Sequence, residues 1–70
     1  MHRTPVTSKN ICSIGYDPAS AILEVEFNTG TVYQYFDVPE HVHQGLMNAS
    51  SHGQFLNDNI KYHYRYQRAV

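Results

Sequence analysis

From Leu23 to Phe27 the chain alternates without exception, Leu23, Val25 and Phe27 against Glu24 and Glu26, and Asn28-Thr29-Gly30 follows at once. Period-two alternation marks a strand with one buried face. A three-residue loop with glycine in the left-handed position turns such a strand back on itself, so Thr31 to Val38 reads as the returning strand. In that register Phe27 faces Thr31, Val25 faces Tyr33 and Leu23 faces Tyr35. Both tyrosines then lie on the core side, and Glu24, Glu26 and Gln34 share the other face. A two-residue loop would shift the pairing by one and turn both tyrosines outward, where they would offer stacking surface.

The chain has 70 residues, and one of that size buries only roughly 60% of the surface it exposes when unfolded. Ordering it costs on the order of 100 kcal/mol. Nearly every large apolar side chain is therefore needed for one core, which leaves no second domain and no deep active-site cleft. Cys12 is the sole cysteine, so no intrachain disulfide forms, and a reducing cytoplasm is the expected location. Met1 to Val6 holds no apolar stretch of the signal-peptide kind, and no window approaches the roughly 20 apolar residues of a membrane span.

Met1 to Lys9 is polar, contains Pro5 and reads as a flexible arm (residues 1–9) ahead of a single domain over 10–70. Asn10 to Tyr16 suggests a strand, and Asp17-Pro18-Ala19-Ser20 a turn. Pro39 suits a first helical turn, with Val42, Leu46 and Ala49 at helical spacing, so a helix is expected over 39–49. Gly45 inside it implies close packing against a neighbour or a short helix. Ser50 and Ser51 can cap a second helix whose apolar side is Phe55, Leu56 and Ile60. Beyond it, Tyr62, Tyr64 and Tyr66 alternate with Lys61, His63, Arg65 and Gln67, which allows a short closing strand. The expected fold is α+β: an antiparallel sheet of three strands, with room for a fourth, followed by two helices packed on one face.

The segments Ile14-Gly15-Tyr16-Asp17-Pro18, Leu23 to Phe27, Gly30, Tyr33-Gln34-Tyr35, Asp37-Val38-Pro39, Ser51 to Asn57, Ile60 and Tyr64 together resemble the KTSC domain family over roughly Val6 to Tyr66. That family is named for the C-terminal extension of some lysyl-tRNA synthetases and also occurs as free-standing small bacterial proteins. The resemblance implies a tie to RNA through that attachment. Tyr33-Gln34-Tyr35 looks like the family's central Tyr-x-Tyr motif. The family pattern has a proline between its closing tyrosines, whereas Arg65 stands between Tyr64 and Tyr66 here.

Charge is unevenly placed: residues 1–60 hold two basic and six acidic side chains (−4), residues 61–70 three basic and none acidic (+3). Lys61, Arg65 and Arg68 interleave with Tyr62 and Tyr64, a pattern suited to phosphates and unpaired bases of single-stranded or tRNA-like RNA, with Tyr33 and Tyr35 as further stacking surface. The ordinary reading of the same residues is a solvated cationic face over tyrosines packed on the sheet. Ser51-His52-Gly53, at a helix start, could hold an anion at Ser51 and Gly53, although a plain N-cap explains them as well.

His41, His43, His52, His63 and Cys12 carry ligand chemistry, but His41 and His43 point to different sides of a helix and no paired ligand spacing occurs, so no metal or other cofactor is expected. Cys12, Ser51, the histidines and Asp58 supply the types of a catalytic triad without an elbow or oxyanion loop. Cys12 reads as a buried strand residue and the pair Glu24 and Glu26 as a solvated face, so no enzymatic activity is expected. The alternative to RNA is a protein–protein adaptor using its aromatic face or an open sheet edge. Nine aromatic residues, six of them tyrosine, suit either partner.

Overall fold

The computed structural model describes residues 1–70 as β1 (Arg3–Pro5), β2 (Ile11–Asp17), β3 (Ile22–Phe27), β4 (Val32–Tyr35), α1 (Glu40–Asn48), α2 (His52–Asn59) and β5 (Tyr66–Arg68). The strands form one antiparallel sheet in the order β1-β2-β3-β4-β5. Both helices are inserted before β5, which returns to pair with β4. The α+β class expected from the sequence holds, and the sheet has five strands where three or four were expected.

The three-residue hairpin is the one adopted. Leu23 lies opposite Tyr35 and Val25 opposite Tyr33, and Phe27 donates its backbone N–H to the Thr31 carbonyl at 2.8 Å. Gly30 turns the corner at φ +89°, a region that glycine enters without the Cβ penalty other residues meet. Leu23, Val25 and Tyr35 thereby join Ile11 and Ile14 under the helices, where Leu46 of α1, Leu56 of α2 and Ile60 complete a buried core.

Ser51 caps α2, its Oγ accepting from the Gln54 N–H, and Pro39 occupies the N-cap of α1 without a side-chain bond. Gly45 explains how the two helices close on one another. A Cβ there would lie 2.7 Å from the Phe55 ring, so the glycine is the close approach that its cost in a helix foreshadowed.

The other face of the sheet departs from three expectations. Arg3–Pro5, placed in a flexible arm by its polarity, is a strand paired with β2, Arg3 opposite Gly15. The reason is long-range: Arg3 reaches Glu24 Oε2 through Nη1 at 2.5 Å and Ser13 Oγ through Nε at 3.0 Å. Gly15 leaves the room, since a Cβ there would meet the His2 carbonyl oxygen at 2.6 Å. Glu24, expected to be solvated, is only 7% exposed. Its Oε1 accepts from Gln34 Nε2, whose own Oε1 accepts from Gln67 Nε2. A row of hydrogen-bonded side chains thus ties β1, β3, β4 and β5 together.

Desolvation pushes the Glu24 carboxyl up, but hydrogen bonds from Gln34 and Arg3 and the Arg3 charge outweigh it and hold the group below its ordinary value. Cys12 is exposed and not buried, because a β-bulge between Ile11 and Ser13 interrupts the alternation and turns it outward.

The tail differs too. Residues 61–64 coil instead of extending, Lys61 donating its backbone N–H to the Leu56 carbonyl and His63 to that of Ile60. These carbonyls at the end of α2 need donors, and the chain straightens only at Tyr66.

Candidate functional site

A groove of about 680 Å³ lies between the β3–β4 hairpin and α2. Its floor is Phe27, Tyr33 and Tyr35 on the core-side face of the sheet. Its wall is Ser51, Gly53, Gln54 and Asn57, and Lys61 stands just past the end of α2. Asn10, Thr29 and Thr31 line the rest with Leu56. Helical spacing makes the wall: Gln54, Asn57 and Lys61 follow at three and four residues, so one side of α2 and the turn after it face the sheet.

The rings on the floor brace one another. Phe27 and Tyr33 meet edge to face at 5.8 Å between centroids, and Tyr33 meets Tyr66 of β5 edge to face at 5.4 Å. Such pairs add about 0.5–1.5 kcal/mol beyond burial and fix ring orientation. Tyr33 remains half-buried, with surface left to offer, whereas Tyr35 is 3% exposed. Burial, with Tyr33 and Tyr66 nearby, pushes the Tyr35 phenol up to about 12, so it stays protonated and neutral.

None of the six carboxylates lines this groove, and Lys61 does. Asp58 is the one that comes near, accepting from Nε2 of the wall residue Gln54 at 2.8 Å; four others are occupied elsewhere. Glu24 and Glu26 serve Arg3, Ser13 and Gln34 on the far face, Asp17 binds Ser20 and the Ala19 N–H in the β2–β3 turn, and Asp37 faces Arg65.

Of the residues singled out from sequence, Lys61, Tyr33, Tyr35, Ser51 and Gly53 are brought to this one groove, although they were read as two separate sites. Arg68 lies opposite Tyr33 across β4 and β5, on the same face of the sheet. Arg65 is drawn off to Asp37 at 3.4 Å, over the Phe36 ring. Tyr62 projects into solvent at 78% exposure beside the Lys61 ammonium, and Tyr64 packs partly against the core. Tyr62, Tyr64 and Arg65 do not line the groove. Phe27, Asn10, Gln54 and Asn57 were missed; the spacing of 54, 57 and 61 was the available signal.

No three His, Cys, Asp or Glu side chains come together as a metal site would require. His43 is stacked on Tyr16 at 4.7 Å between centroids, and His63 contacts the Asp58 carbonyl. Partial desolvation and the Glu26 carboxylate raise the Cys12 thiol above its ordinary value. Ser51 Oγ is engaged as a cap. No helix is long and apolar enough to cross a membrane.

The KTSC domain model matches residues 7–64. The crystal structure of a KTSC domain protein from Yersinia pestis superposes with a TM-score of 0.96 at 42% identity, over 99% of this chain and 97% of that one. A protein of Stutzerimonas stutzeri is 46% identical over 69 residues, 97% of each chain. The lysine–tRNA ligase of Nostoc sp. (strain PCC 7120) is 40% identical over 53 residues, 76% of this chain and 9% of the ligase.

Proposed function

This chain belongs to the KTSC domain family, and we propose that it is a non-catalytic binding domain that takes single-stranded RNA in the groove between α2 and the β3–β4 hairpin. One observation carries the reading: the groove joins Phe27 and Tyr33 to Lys61 and is lined by no carboxylate, in a chain whose net charge is −1. Aromatic rings beside a cation suit a strand whose bases are unpaired and whose phosphates lie alongside. The ligase relative carries a similar segment in a protein named for tRNA, which favours RNA over other anions. Tyr33 supplies stacking surface; Lys61, and Arg68 beyond the floor, meet phosphates.

The non-catalytic part of the reading is supported by Cys12, whose thiol partial desolvation and the Glu26 carboxylate hold above its ordinary value and so away from the nucleophilic thiolate. The single cysteine also suits a reducing cytoplasm.

The competing partner is a protein added along β5. Arg65 accepts from Phe36 and Ala69 donates to Val32, so by the alternation of an antiparallel ladder the N–H and C=O groups of Tyr66 and Arg68 face the open edge. Salt separates the two. If Lys61 and Arg68 each neutralise one phosphate the logarithmic salt slope is about −1.4, so a fourfold rise in salt weakens RNA binding about sevenfold, or about twentyfold if Arg65 joins them. Anisotropy with a labelled single-stranded RNA at 50 and 200 mM salt, repeated with Lys61→Gln/Arg68→Gln and with Tyr33→Leu, tests this. The double variant is expected to flatten the salt dependence and Tyr33→Leu to weaken binding at least about fivefold, the low end for one stacked base. Affinity indifferent to salt and to both variants would remove the reading.

A further inference from the structure

A second cleft, of about 540 Å³, lies between residues 7–10 and the start of α2. It shares Asn10, Ser51 and Gly53 with the aromatic groove, so the two run into one another. Its lining is wholly polar: Thr7, Ser8, Ser50 and His52 in addition to the shared residues, and Lys9. Again no carboxylate is present. The only two lysines of the chain, Lys9 and Lys61, thus line the two clefts, one each.

His52 is held in a defined way. Its Nδ1 lies 2.8 Å from the Leu46 carbonyl at the end of α1. A carbonyl only accepts, so Nδ1 carries the proton and donates it. Nε2 is left without a protein partner, an acceptor in the neutral ring and a donor once the ring is protonated. Lys9 is the other titratable group lining the cleft, and the hydroxyls of Thr7, Ser8, Ser50 and Ser51 complete the polar wall.

We propose that this polar cleft seats the phosphate of a nucleotide whose base occupies the adjoining aromatic groove, with the Lys9 ammonium and Nε2–H of the His52 imidazolium as its ligands. The proposal rests on the RNA reading above and adds to it a place for the phosphate.

The test is a set of amide NMR titrations of the whole chain with adenosine, adenosine 5′-monophosphate and inorganic phosphate. The nucleotide is expected to shift amides at residues 8–10 and 50–54 together with those near Phe27 and Tyr33. Adenosine is expected to shift only the second set, and inorganic phosphate only the first. His52→Asn keeps a side-chain N–H in place of Nδ1 for Leu46, so the fold is preserved. It is expected to bind the nucleotide about 1.5- to 5-fold more weakly than the parent, the range of an exposed ion pair. Lys9→Gln is expected to lose a similar factor. Nucleotide shifts that spare residues 50–54, or a His52→Asn variant of unchanged affinity, would overturn the proposal. Single-stranded RNA that binds with Tyr33 and Lys61 dependence while the polar cleft stays unmoved would do so and leave the RNA reading intact; no RNA binding at all would end both.

Discussion

Replacing Arg3 with alanine should destabilise the domain far more than its place three residues from the N-terminus suggests. The guanidinium donates to Glu24 and Ser13, and the Glu24 side chain is 10% exposed against 30% for Arg3. Removing a partner from a fully buried pair costs about 3–5 kcal/mol, but water reaches Arg3 and Gln34 continues to donate to Glu24. The appropriate scale is that of one charge-assisted hydrogen bond, about 1.5–3 kcal/mol. For a domain of this size that lowers Tm by roughly 6–24 °C.

Thermal and urea unfolding followed by circular dichroism measure it at pH 7, with Glu24→Gln and the double variant completing a cycle. Glutamine at 24 keeps the acceptor that Gln34 needs, so the cycle isolates the Arg3 bond. Because Glu24 sits below its unfolded value of 4.5, its contribution is present above that pH and is lost as pH falls through the folded value. The Arg3→Ala penalty should therefore shrink at pH 3. A penalty under about 0.5 kcal/mol at pH 7, the usual size of a surface substitution, would refute the idea that this pair holds β1.

Leu46 is wholly buried, and Leu46→Ala should cost about 2–5 kcal/mol in urea unfolding through the cavity it leaves. Gly30→Ala must place a Cβ at φ +89°, and a loss of about 1–2 kcal/mol in the same assay is expected from that strain. Burial beside Tyr16 lowers the His43 pKa below its ordinary 6.5, with Glu40 opposing, so stability should begin to fall as pH drops below that value; His43→Phe, which can still stack, should remove this upper part of the acid transition. Native protein should titrate one equivalent of thiol with Ellman's reagent without denaturant, since Cys12 is exposed at its bulge.

What could be read from the sequence was what local pattern decides. Asn28-Thr29-Gly30 set the hairpin register and with it the facing of Tyr33 and Tyr35, and Ser51 was recognisable as a cap because capping is chemistry within three residues. The first strand was hidden since Arg3 is held by Glu24, far along the chain, through space that Gly15 leaves. Polarity alone marks such a segment as loose. Cys12 was misplaced because a bulge breaks the alternation that assigned it inward. The tail tyrosines alternate like a strand, but the carbonyls ending α2 capture residues 61 and 63 first. The groove follows the same division: its tyrosines, lysine and cap were each visible, while their meeting depended on how α2 lies over the hairpin.

The claim on which the account turns is that the carboxylate-free groove beside α2 is where RNA lies. A labelled single-stranded RNA titrated into isotope-enriched protein, with amide shifts read residue by residue, addresses it directly. The account predicts shifts gathered at Asn10, Phe27, Tyr33, residues 51–57 and Lys61. Shifts gathered on the opposite face around Arg3, Glu24 and Gln67, or none at saturating RNA, would contradict it.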